Sequence, residues 1–126
     1  MLDKANLQSR YTSALWVPFE SWPQEVARFD LYVIPMHGEY DARRSALKVE
    51  EAGMASIPFV ATDSPPYHEY DAGGILVENR AEAWVDAISK MIDDKEAYAE
   101  YARKGHEWAM AFMDTAVETY EKALGF

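Results

Sequence analysis

The sequence predicts a three-layer α/β domain: a short parallel sheet of about four strands, helices on both faces, and a long helical C-terminal region. Three observations lead there. Leu31–Met36 (LYVIPM) and Ile57–Ala61 (IPFVA) are almost continuous apolar runs, as expected of parallel strands covered on both faces. Segments of helical periodicity alternate with them, which is the signature of strand–helix–strand units. Finally, 126 residues of which 49% are apolar suffice for one domain with its own core.

In chain order, Leu2–Arg10 reads as a short polar helix and Thr12–Phe19 (TSALWVPF) as a first strand ending at Pro18, because proline is poorly tolerated within a central ladder. Ser21–Phe29 suits a short helix with Ser21 as cap and Pro23 in the first turn. After the strand Leu31–Met36 comes a helix over Ser45–Ala55, and then the strand Ile57–Ala61. Thr62–Tyr70 is rich in turn formers and precedes a fourth short strand, Gly74–Val77 (GILV). Asn79 and Glu82 fit a capping box for a helix whose apolar face is Ala81, Trp84, Val85, Ile88 and Ile92. Lys95–Leu124 is helical again, with a break expected near Gly105.

The formal charge of −10 argues against nonspecific nucleic-acid binding, which needs a basic footprint, and against adsorption to an anionic membrane. With no cysteine there is neither a disulfide framework nor a thiolate metal site. No run has the length of a membrane span or a signal-peptide core, so a cytoplasmic protein is expected.

Ligands of such sheets sit beyond the C-terminal strand ends, which directs attention to Pro18–Ser21, His37–Arg43 and Thr62–Tyr70. Arg43, Arg44, Ser45 and Lys48 crowd a helix start, where free N–H groups and the helix dipole attract anions. Arg44, Lys48 and Glu51 fall on one helix face, so Glu51 suits ribose or sugar hydroxyls. A solvated face with an ordinary Lys48–Glu51 surface pair fits the same pattern. His37, Glu39 and Asp41 read either as sugar contacts or a general base, or as plain loop residues; their spacing is poor for a metal, and none is expected. In the loop from Asp63 through Ser64, Tyr67 suits stacking on a base or packing on the sheet edge. The chain has no glycine-rich dinucleotide fingerprint, Walker loop or nucleophile elbow. A receiver domain would need an aspartate where this strand ends in Pro35, Met36 and His37.

From about Trp16 to Leu124 the chain resembles the C-terminal, donor-binding half of the GT-B (group 1) glycosyltransferases, a Rossmann-like fold. WVPFESWPQEVARFDLYVIPM is similar to the family's V-P…L-P…A-D-V-x-V-x-P segment. Ser45–Ala52 resembles its S-x-L-K-x-x-E-A helix, Ile57–Asp63 its G-x-P-V-V-A-(S/T)-D strand, and Gly73–Val77 its G-x-L-V strand. The resemblance implies nucleotide-sugar binding without an obligatory metal or other cofactor. By that resemblance Lys48 would touch the diphosphate and Glu51 the ribose; Arg43, Arg44 and Ser45 are further diphosphate candidates from the cationic helix start itself. Val17, Pro18 and Phe19 would border the base, and Asp63, Ser64 and Tyr67 would close the site.

Three departures stand out. The family often has two glutamates eight positions apart, yet the partner position of Glu51 is Arg43, which leaves Glu39 or Asp41 as candidate catalytic carboxylates. The glycine usual before the proline strand is Ser56. Measured against the family, residues 1–126 are expected to be a single, truncated domain, without the first donor-domain strands and the acceptor domain. Two functions follow as expectations. One is a donor-binding domain needing a second domain or partner for transfer. The other is a catalytically silent interaction module, self-associating or binding a partner through the aromatic stripe Tyr101, Trp108, Phe112, Tyr120 and Leu124.

Overall fold

The computed structural model describes residues 16–125. A 3-10 turn at Phe19–Ser21 runs into helix α1 (Trp22–Val26), followed by strand β1 (Tyr32–Ile34), a short helix α2 (Gly38–Asp41) and α3 (Leu47–Met54). Strand β2 (Phe59–Thr62), a 3-10 segment (Pro65–Gly73), β3 (Gly74–Val77), α4 (Ala81–Asp93) and α5 (Lys95–Leu124) complete the chain. The three strands are parallel in the order β1-β2-β3, with Val33 opposite Val60 and Val60 opposite Ile75.

Helices cover the sheet on both sides, as expected. One core joins Val26, Tyr32, Ile34, Val49, Ala52, Phe59, Ala61 and Tyr67; the other joins Val60, Val77, Ala87 and Met91. β2 is therefore buried at every position, which accounts for its unbroken apolar run. β1 departs from that expectation. Tyr32 and Ile34 are buried, but Val33 on the opposite face is 48% exposed.

Several boundaries differ from the sequence reading. The expected helix Leu2–Arg10 and the first part of the expected strand Thr12–Phe19 lie outside the described residues; Trp16–Pro18 are irregular and Phe19 opens the 3-10 turn. The described sheet thus has three strands rather than about four. α4 buries Ala87 and Met91, whereas Val85 and Ile92 from the expected apolar face are 62% and 69% exposed. α5 runs unbroken through Gly105, and Asp94 caps it by accepting the Ala97 N–H at 2.9 Å.

Asn79 is not the N-cap of α4. Arg80 occupies that position without a side-chain cap bond, and the Asn79 amide serves the sheet instead. Pro35 has no N–H, and the β1–β2 ladder stops at Ile34 opposite Ala61. Beyond it the Met36 N–H donates to the Thr62 hydroxyl at 2.8 Å, the Thr62 hydroxyl donates to Asn79 Oδ1 at 2.9 Å, and Asn79 Nδ2 donates to the Met36 carbonyl at 2.7 Å. Side chains thus tie together the ends of all three strands, where the polypeptide leaves the sheet to build the loops.

Ser56 holds a φ of 57°, in the left-handed region. That explains the glycine usual at the corresponding position, because a Cβ is strained there. We expect Ser56→Gly to stabilise the domain by about 1 kcal/mol, read as a higher urea midpoint at unchanged slope.

Candidate functional site

A cleft of about 220 Å³ opens at the C-terminal end of β1. Its floor is Ile34, Pro35 and Met36; one wall is the start of α3, and Trp22 and Tyr67 close the others. Five of the expected residues meet there: Arg44, Ser45, Lys48, Glu51 and Tyr67. The position is the one chain topology dictates, since loops leaving a parallel sheet diverge at its carboxyl edge.

α3 begins at Leu47, two residues later than expected, and its N-cap Ala46 provides no side-chain bond. Its first N–H groups therefore lack a capping side chain. Ser45 precedes the cap. Lys48 lies in the first turn, exposed, and no ion pair engages it or Arg43 among the described residues. Arg44 pairs with Asp41 at 3.6 Å. The cationic helix start is real as geometry, with two positive side chains on one wall.

Glu51 is not half of a surface pair with Lys48. Its carboxylate is held by two donors: Trp22 Nε1–H to Oε1 at 3.1 Å and the Tyr32 hydroxyl to Oε2 at 3.2 Å. Burial, reinforced by the Glu51 charge, pushes the Tyr32 phenol up to about 12. Burial followed by the neighbouring Glu51 charge also raises the Glu50 carboxyl. Burial raises the Tyr67 phenol too, with Arg44 lowering it and Asp41 raising it.

The other expected site residues stand apart from the cleft wall. Arg43 lies in the turn after α2 and is not part of the cleft lining, so the cationic side chains of this wall are Arg44 and Lys48. Asp41 is committed locally, accepting the His37 N–H at 2.8 Å and facing Arg44. Glu39 is exposed on α2, and His37, Glu39 and Asp41 do not converge. Val17, Pro18 and Phe19 lie outside the lining, with Phe19 84% exposed. Asp63 pairs with His68 at 2.7 Å, and buried Ser64 caps the following turn through its carbonyl, 2.9 Å from the Tyr67 N–H. Tyr67 packs into the core at 2% exposure, so its ring face is not free for stacking.

Sequence reasoning passed over Trp22 and Tyr32, which hold the Glu51 carboxylate. One signal was present: Tyr32 shares strand parity with Ile34 and Met36, so it faces the same layer as α3. Trp22 carried no such signal.

No helix among the described residues is long and apolar enough to cross a membrane. The family model described as glycosyl transferases group 1 matches residues 2–94, most of the chain. No curated protein matches the chain significantly.

Proposed function

The chain belongs to the group 1 glycosyl transferases, and from that premise we propose that it binds the nucleoside diphosphate part of a nucleotide-sugar donor in the cleft below α3. One observation carries the reading. A single cleft unites an uncapped helix start, Arg44 and Lys48 with a half-buried carboxylate, Glu51, one turn away. The cations and free N–H groups suit a diphosphate, and the carboxylate suits ribose hydroxyls.

In sugar transfer the bond between the anomeric carbon and the diphosphate oxygen breaks, and negative charge accumulates on the departing diphosphate. Fixed positive groups aimed at that charge lower the barrier. Lys48 and Arg44 supply it from this chain. Pockets for drug-sized ligands typically span roughly 300–1,000 Å³. A 220 Å³ cleft matches the diphosphate and ribose rather than a whole donor. Base and sugar would extend past it, and an acceptor would approach from a second domain or a partner.

Thermal shift with UDP, GDP, ADP and their sugar conjugates tests the reading. Saturable stabilisation by at least one nucleotide is expected, about 2.7 kcal/mol at a hundredfold excess over Kd.

A second reading, an interaction module, is favoured by α5. Trp108 is used internally, with its ring 4.4 Å from Tyr70, but Val117, Tyr120 and Leu124 are 51%, 69% and 68% exposed. Their three-and-four spacing forms a stripe available to another helix. Absence of any nucleotide response, together with concentration-dependent association, would favour it over donor binding.

A further inference from the structure

We propose that Trp22 and Tyr32 are positioning residues that hold Glu51 as an acceptor for a vicinal diol, so that the cleft selects ribose over deoxyribose. The inference rests on the nucleotide reading above and adds the specificity of the same site. Its basis is the way the carboxylate is held. The two donors come from different elements, Trp22 from α1 and Tyr32 from β1, 29 and 19 residues away from Glu51. Each takes one oxygen of the carboxylate.

A carboxylate offers about four lone-pair sites. One donor on each oxygen leaves one site free on each, which suits two adjacent hydroxyls that both donate. With both oxygens held, the terminal torsion of Glu51 no longer rotates freely, so the free sites are aimed before a ligand arrives. An indole N–H donates only, and therefore never competes for the ribose protons. Tyr32 is itself fixed, 8% exposed, with its ring 5.5 Å from Phe29 in an edge-on contact. Its raised pKa keeps the hydroxyl protonated, and so a donor, throughout the physiological range.

The competing explanation is that these bonds merely fasten α1 and β1 to α3. The two explanations differ in what a variant changes. A fastening role weakens every ligand alike, whereas a positioning role changes the preference among ligands.

The experiment measures Kd for UDP, GDP and ADP, for their 2′-deoxy counterparts, and for inorganic pyrophosphate. Wild type, Tyr32→Phe and Trp22→Phe are compared. Tyr32→Phe removes only an oxygen and is the variant expected to keep the fold, checked by circular dichroism. Wild type is expected to favour the ribose form roughly tenfold, the scale of a hydrogen bond to a charged group. In both variants that preference falls severalfold toward parity, while pyrophosphate affinity stays within about twofold. A preference unchanged in both variants, or absent in wild type, would overturn the inference while leaving nucleotide binding intact. If no nucleoside diphosphate binds wild type at all, the donor reading itself fails and takes this one with it.

Discussion

Gly105→Leu is expected to destabilise the domain by about 3 kcal/mol or more, the largest effect of any single change considered, since there is no room for its side chain. Gly105 lies in the middle of α5, fully buried, where three glycines bring backbones together. A Cβ on Gly105 would stand 2.9 Å from the Cα of Gly73, and one on Gly53 would stand 2.7 Å from the Gly105 carbonyl oxygen. The opposing atoms are backbone, so nothing flexible can give way. Even Gly105→Ala should lose stability, because overpacking of about 1–3 kcal/mol exceeds the ~0.5–1 kcal/mol that alanine gains in a helix interior. The consequence reaches the site. α3 carries Lys48 and Glu51, and its far end docks on α5 through Gly53, whose carbonyl is 3.2 Å from His106 Nδ1. Urea denaturation checks the result; a Gly105→Leu protein with the wild-type midpoint would show that α5 does not pack as described.

Thr62→Val is the second large effect, a loss of about 2–3 kcal/mol for a change that alters hardly any volume. Thr62 is 8% exposed, and its hydroxyl satisfies the Met36 N–H that the interrupted β1 ladder leaves over. Valine would strand that donor in a buried setting and release Asn79 Oδ1 from its 2.9 Å bond. An unpaired buried group costs about 1–3 kcal/mol, beyond the bond itself. Thr62→Ser, which keeps the hydroxyl, should recover most of the loss. If valine and serine behave alike in chemical denaturation, the hydrogen-bonded clamp across the strand ends contributes little.

These two positions also show where sequence reasoning reached and where it stopped. β2 and β3 were legible because apolar residues cluster over the length of a strand, and the cations of the cleft because they are neighbours in sequence. Local propensity alone predicts a helix break at Gly105. What decides its role is contact with Gly53 and Gly73, some 52 and 32 residues distant in the chain. Asn79 has the right spacing to Glu82 for a capping box, but the Thr62 hydroxyl, brought near only by folding, takes the amide oxygen that would cap, and the Met36 carbonyl takes the amide N–H. Glu51 was identified from its helix face, while the donors that fix it lie on α1 and β1 and leave no periodic trace. Local patterns revealed elements and charges; the partners that give a polar side chain its role were long-range.

On the proposed function, the cleft below α3 binds a nucleoside diphosphate through Lys48 and Glu51. Titration calorimetry with UDP, GDP and ADP on wild type, Lys48→Ala and Glu51→Gln tests it most directly. Saturable binding by wild type is predicted, weakened roughly tenfold or more by each substitution, since charge-assisted contacts to phosphate or hydroxyl are each of that scale. Binding that both variants retain unchanged would contradict the account, as would wild-type protein that binds none of the three.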